Sequence, residues 1–272
     1  MKRLAALILL LPLALSATTL EEKPWFGNMC ELNWRAEYSY SFYDEVDGAR
    51  PPLKNTSHDH LVATGLGVTL PDEWNWQTEV DFFSSPRTSF GWRSVAFSAR
   101  RRLLDDVTCD PISWIVGATA RAVAKNTLSD ISVPFHSRGD FELHTALGKE
   151  WGHGRHWQWR VWGLGAVGIG VRGLPWFRTD LYFEGNWCDR FQWRLFGLGY
   201  FGTGRKEFVD INHFHGWANR HHQSIDLGGS LKLLLDTWGA LRFDYSYRVY
   251  AHVFPERLQA LTLTYTLPFC PF

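Results

Sequence analysis

The feature that most constrains this chain is a two-residue period held over segments too long for an ordinary sheet. In 34–42 the apolar residues Trp34, Ala36, Tyr38, Tyr40 and Phe42 alternate with Arg35, Glu37, Ser39 and Ser41. Trp74, Trp76, Val80 and Phe82 alternate with Asn75, Gln77, Glu79 and Asp81. Leu241, Phe243, Tyr245, Tyr247 and Val249 alternate with Arg242, Asp244, Ser246 and Arg248. Successive side chains of a strand point to opposite faces, so each segment offers one face to an apolar medium and the other to a polar one. Weaker versions of the pattern predict twelve strands in all, at 33–43, 58–70, 74–84, 90–104, 111–124, 139–150, 157–171, 176–187, 191–201, 221–235, 240–250 and 257–267. Most reach the about nine to eleven residues that a tilted strand needs to cross a bilayer, whereas soluble strands average about five or six.

The connections alternate as well. Long ones, 44–57, 125–138 and 202–219, fall on one side. Tight turns at Pro71-Asp72-Glu73, Trp151–His156 and Asp236–Gly239, and short turns holding Cys109 and Cys188, fall on the other. Three connections on the long-loop side, 84–89, 172–175 and 251–256, are themselves short. Aromatics make up 16% of the chain, with 15 Trp and 24 Gly, yet mean hydropathy is slightly negative. That combination fits alternating strands with aromatics gathered at two interfaces. Trp34, Trp74, Trp76, Trp114, Trp157, Trp159, Trp187 and Trp193 sit at the short-turn ends. Phe42, Phe82, Phe83, Phe90, Trp92, Trp176, Phe177, Phe201 and Tyr250 sit at the opposite ends.

Lys2 and Arg3, the apolar run Leu4 to Leu15 broken by Pro12, and Ala14-Leu15-Ser16 read as a secretory signal peptide over 1–17. Residues 18–272 are then expected to form a single domain. No 18-residue apolar run follows the leader, so no helical span is expected. Lys+Arg and Asp+Glu both number 28, which gives no net charge to steer the chain to nucleic acid, and no nucleic-acid partner is expected.

With these strands, the two aromatic girdles and the final Phe272, the sequence resembles Gram-negative outer-membrane β-barrels as a class. The resemblance implies an all-β fold, a closed antiparallel transmembrane β-barrel of about 12 strands in a bacterial outer membrane, surrounded by lipid. Closure has a physical reason, because an unpaired strand edge in hydrocarbon leaves every backbone group unsatisfied. The resemblance also makes Phe272 part of the signal read by the barrel-insertion machinery. Pro268 and Pro271 interrupt the alternation just before it.

The polar face is expected to line the lumen. Its candidate solute-contacting residues are Arg35, Glu37, Glu79, Asp81, Arg160, Arg178, Asp180, Arg194, Lys232, Arg242, Asp244 and Arg248. Arg100, Arg102, Glu142, Glu184 and Asp226 share that face. Two arrangements are open. In a channel, basic residues on neighbouring strands form a ladder for anionic solutes, as the similarity to anion-selective porins suggests. In a plugged barrel, both signs pair across the lumen and the outward loops do the work, as structural or adhesive elements. The leading expectation is a porin-like channel for small hydrophilic solutes, anionic ones among them, with no cofactor, no metal and no catalytic residue.

His222 and Ser224 share one strand face and look like the His-x-Ser of outer-membrane phospholipase A and a lipid A deacylase, which makes a lipid hydrolase a further alternative. Ile225 and Asp226 stand where the phospholipase has Asn and Gly. His213, His215, His221 and His222, with His58 and His60, carry a weak metal-binding signal without cysteine or paired carboxylates beside it. Cys30 precedes the first strand and Cys270 follows the last, so closure predicts a Cys30–Cys270 disulfide at the seam. Cys109 and Cys188 lie four strands apart, a chord of about 20 Å that a disulfide cannot bridge, which leaves them free or cross-linked to envelope partners. Gly163, Gly165, Gly168 and Gly170 mark either the flat packing of an aromatic such as Trp162 or Tyr182 or the entry of a loop into the lumen.

Overall fold

The computed structural model describes residues 20–153 and 156–270. The predicted leader, 1–17, and Phe272 lie outside the described residues. The chain forms one closed antiparallel barrel of twelve strands: β1 Leu32–Tyr43, β2 Ser57–Leu70, β3 Trp74–Ser84, β4 Gly91–Leu104, β5 Ser113–Val123, β6 Gly139–His153, β7 His156–Gly170, β8 Trp176–Trp187, β9 Phe191–Gly202, β10 Gln223–Leu234, β11 Ala240–His252 and β12 Gln259–Phe269. Each strand pairs with its sequence neighbours, and β1 closes the ring on β12 from Leu32 opposite Phe269 to Phe42 opposite Gln259.

Burial is inverted relative to a soluble protein. Leu181 is 66% exposed while Asp180 beside it is 2% exposed, and Ser39, Glu79 and Asp81 are buried while Leu66, Leu227 and Leu263 are not. Apolar side chains facing outward in a continuous band are stable only where the outside is hydrocarbon. At the short-turn end two indoles satisfy their N–H without water. Trp34 donates to Thr64 Oγ1 at 3.0 Å and Trp114 to Thr145 Oγ1 at 2.8 Å, each across a strand pair on the outer face.

The turns obey the hairpin twist. Asp72 and Glu73 both have positive φ (58° and 64°), as do Cys188 and Asp189 (56° and 54°). That conformation matches the right-handed twist of the flanking strands. Cys30, with φ 62°, also sits in a turn, and its N–H donates to Thr69 O of β2 at 2.7 Å. All four cysteines are free and exposed in this structure, which holds no bond between Cys30 and Cys270.

The long loops do not project. Residues 124–138 and 203–222 fold over the mouth and interlock with 44–56 and 253–258. Tyr43, Val46, Ile131, Val209, Phe214, Trp217 and Phe254 form one buried apolar cluster there. Trp217 N–H donates to Phe135 O at 3.1 Å and its indole to Val133 O at 2.8 Å, tying two loops together. Gly216 has φ +87°, and a Cβ would lie 2.7 Å from His136 O. The closest thing to a conventional hydrophobic core is therefore this cap.

Two expected girdle residues face inward. Phe83 shares parity with Asp81, and Trp176 with Arg178 and Asp180, so both point under the cap and are 1% and 4% exposed. Trp157, beyond the bulge at Trp151/Gly152, lies against Arg160 instead of lipid, with the guanidinium 4.1 Å from its ring centre. The last strand begins at Gln259 because Pro255–Glu256 pairs with Glu45–Val46 in a small ribbon of the cap.

Candidate functional site

The lumen holds the chemistry. Its charges pair along the wall: Arg93 of β4 with Asp81 of β3 (2.8 Å), Arg121 of β5 with Glu79 of β3 (3.0 Å), and Arg160 of β7 with Glu150 of β6 (2.5 Å). Arg194 of β9 binds Glu184 of β8 (2.7 Å), Arg248 of β11 binds Asp226 of β10 (2.6 Å), and Arg242 binds Asp244 two residues along β11 (2.8 Å). Every one of these pairs joins residues on the same strand, on adjacent strands, or on strands separated by one. The side chains therefore lie flat on the wall. A cavity of about 370 Å³ is left inside it.

One end of that cavity is closed by the chain's own N-terminal segment, which the alternation argument did not anticipate. Residues 20–26 lie inside the lumen and lead out to an exposed turn at 27–30 at the short-turn end, ahead of β1. Gln77 of β3 clamps the Glu21 backbone: its Oε1 accepts from Glu21 N at 2.9 Å and its Nε2 donates to Glu21 O at 2.8 Å. Arg100 donates to Lys23 O at 3.2 Å, and the Trp25 indole donates to Asp106 Oδ1 at 2.9 Å. Arg178 grips Glu22 with two hydrogen bonds, 2.7 and 2.5 Å, and also holds Glu142 (2.9 Å) and Asp180 (3.0 Å). Gly148 makes room for the segment, since a Cβ there would lie 2.8 Å from Pro24 and Trp25. The barrel interior is thus shaped to hold an extended peptide by its backbone and by one carboxylate.

The other end lies under the cap. His136 stacks on Trp176 (3.9 Å between ring centres, 8°) and lies 5.1 Å from His222. The Nε2 atoms of both imidazoles are buried with no hydrogen-bond partner among the described residues. Burial holds His222 down at about 4 and His136 well below the ordinary imidazole value. Gly168 and Gly170 of β7 lie against this region, where a Cβ would strike Trp176 and Ser137 respectively. Both uses weighed for the glycine series occur, an aromatic packing flat and a loop entering.

Of the predicted lumen residues, Arg35, Arg160, Arg178, Asp180, Arg194, Lys232, Arg242, Asp244 and Arg248 line the cavity. Glu37, Glu79 and Asp81 face inward but lie behind it, buried at the wall. Arg93 and Arg121 were not foreseen. Arg93 follows the bulge at Asp81/Phe82, which shifts the register, and Arg121 stands among alanines with no alternation to mark it. Glu22 and Lys23 were missed because a segment without periodicity reads as a leader remnant. Pro24-Trp25-Phe26, an apolar triplet just before the first strand, was the available signal.

His222 and Ser224 are both buried inside, beneath the cap. His222 Nδ1 faces Arg220 O at 3.1 Å, and Asp226 is held by two bonds from Arg248, so no acid orients the imidazole toward the serine. The loop histidines do not gather: His213 faces Asp210, while His58 and His60 bond to Tyr40 and Tyr38. Glu22, Glu142 and His144 converge within 4.8 Å. Arg178 already sits on both carboxylates and supplies the positive charge a metal would bring.

No protein-family model matches the sequence, and no curated protein matches it. The fold is similar to solved outer-membrane barrels. An outer membrane channel of the COG4313 group from Pseudomonas putida F1 superposes with a TM-score of 0.67 at 13% identity, covering 90% of this chain and 97% of that one. The NanC porin gives 0.56 at 10% identity, with 87% and 98% covered. The KdgM porin in complex with disordered oligogalacturonate gives 0.51 at 8% identity, with 86% and 99% covered. The chain therefore has the closed twelve-strand fold of outer-membrane channels.

Proposed function

We propose that the protein is an outer-membrane channel for small hydrophilic solutes, held shut in this conformation by its N-terminal segment and its loop cap. The observation that carries this reading is the direction of the ion pairs. A plugged structural barrel would neutralise its charges across the lumen, whereas here they are neutralised along the wall, and the axis is blocked by elements that can leave. A wall of largely paired charges gives a hydrated lining. The inward-folded cap argues against an adhesive role, because its apolar residues are used on one another. The enclosed His222 and Ser224 argue against lipid hydrolysis.

In this reading residues 18–272 form one barrel domain released from its leader, Phe272 engages the insertion machinery, and the exposed Cys109 and Cys188 stay available at the periplasmic turns. Single-channel recording in planar bilayers tests it. The full-length protein should show infrequent openings, and a variant lacking residues 20–26 should conduct persistently. A correctly folded deletion variant that passes no current removes the channel reading.

A further inference from the structure

Lys232 of β10 and Arg242 of β11 are direct cross-strand partners on the lumen face. Like charges placed opposite one another destabilise a sheet, and the surroundings offset the two unequally. Arg242 has Asp244, Arg194 has Glu184 and Lys23 has Glu21. Lys232 makes no hydrogen bond or ion pair among the described residues. Lys23, Arg242 and Arg194 act on it as like charges and Glu21 as an opposite one. Glu37 adds to Asp244 on the Arg242 side, but no carboxylate among the described residues forms an ion pair with Lys232, whose ammonium lies on the cavity wall. Its other cross-strand neighbour, Gln192, lines the same cavity and provides an amide.

Two steps along the same strands, the wall changes character. Trp162, Tyr182 and Phe196 stand side by side on β7, β8 and β9. Trp162 and Tyr182 are stacked 3.8 Å apart at 11°, and Phe196 folds over Gly228, where a Cβ would lie 2.3 Å from it. Two steps of two residues amount to about 13 Å between Cα atoms. The side chains of Lys232 and Phe196 and one six-membered ring between them can span that distance. Aromatic faces take up the flat apolar face of a ring, while an ammonium beside a guanidinium takes up a carboxylate.

We infer that this part of the lumen is a binding site for small ring-bearing carboxylates, with Lys232 and Arg242 receiving the carboxylate, Gln192 a neighbouring polar group, and Phe196 the ring, Tyr182 being already stacked on Trp162 and covered by the Arg194 guanidinium 5.1 Å from its ring centre. The inference deepens the channel reading and rests on it for the route by which such a solute arrives. The binding step itself can be measured without conduction.

The test uses full-length protein refolded in detergent, with glucuronate and benzoate as the two carboxylate probes and glucose and benzyl alcohol as neutral counterparts. Saturation-transfer NMR should show both carboxylates bound and both neutral compounds at least tenfold weaker. Lys232→Gln should weaken the carboxylates about tenfold and leave the neutral compounds unchanged. If only glucuronate binds, the site is one for sugar acids; if only benzoate, one for aromatic acids. Equal binding by wild type and Lys232→Gln, or no carboxylate preference, overturns the site. Heat-modifiable migration on gels verifies that the variant is folded, and Lys232→Met provides a second neutral replacement. In bilayers, block of the current by the bound carboxylate should weaken in parallel. Binding without any conductance refutes the channel and keeps the site, whereas conductance without carboxylate binding or block refutes the site and keeps the channel.

Discussion

Glu22 and Arg178 are joined by two parallel hydrogen bonds between a carboxylate that precedes the barrel in sequence and a guanidinium halfway round its wall. Arg178 keeps Glu142 and Asp180 when Glu22 leaves. The bond can therefore open without stranding a buried cation, and this makes the N-terminal segment a removable element.

Glu22→Gln replaces a charge-assisted double bond with a weaker neutral contact, a difference of about 1.5–3 kcal/mol. The open fraction in single-channel records should rise by about tenfold or more. Trp25→Ala, which removes the indole bond to Asp106 and its packing against Arg160, should act in the same direction without touching Arg178. Open fractions unchanged in both variants would mean the segment does not close the pore.

The cap should loosen in acid. The folded imidazoles of His136 and His222 titrate below the ordinary value, so an opened cap, with exposed imidazoles, binds more protons than the closed one in that range. The contribution of the neutral imidazoles is present above about pH 6.5 and is lost as pH falls from there toward about 4. The groups facing the pair are the Tyr200 hydroxyl, Asp140, Arg220, His221 and Arg248. Hydrogen exchange of residues 131–137, corrected for intrinsic rate, should accelerate across that window in the wild type. It should stay flat when both histidines are replaced by Phe; a wild-type profile without pH dependence would refute the assignment.

Lys232→Gln should make the barrel more heat-stable, because it removes one of two like charges held opposite each other. The gain is on the order of 0.2–1 kcal/mol, read as a higher temperature for the shift in gel migration. A lower temperature would show that the ammonium has a stabilising partner.

The cysteines give a test of the seam. All four are free and exposed. Alkylation of the unreduced protein should therefore modify all four, and a reductant should leave the heat-modifiable migration unchanged. A Cys30–Cys270 crosslink in the purified protein would contradict the free thiols.

The twelve strands, most of their inward and outward faces and the positions of their turns were legible from the order of residues. A strand's side chains alternate whatever surrounds it, and the medium on each side selects which residues survive there. Arg178 and Leu181 could be assigned to opposite faces on that ground alone. Tertiary structure decided the rest. Whether Arg194 bonds along the wall or across the lumen depends on how twelve strands curve. Residues 20–26 have no period of their own, and only the enclosed space of the finished barrel brings Glu22 to Arg178, 156 positions away. The cap formed for the same reason: Trp217, Phe254 and His136 lie far apart in the chain and meet because the ring of strands delivers their loops to one mouth.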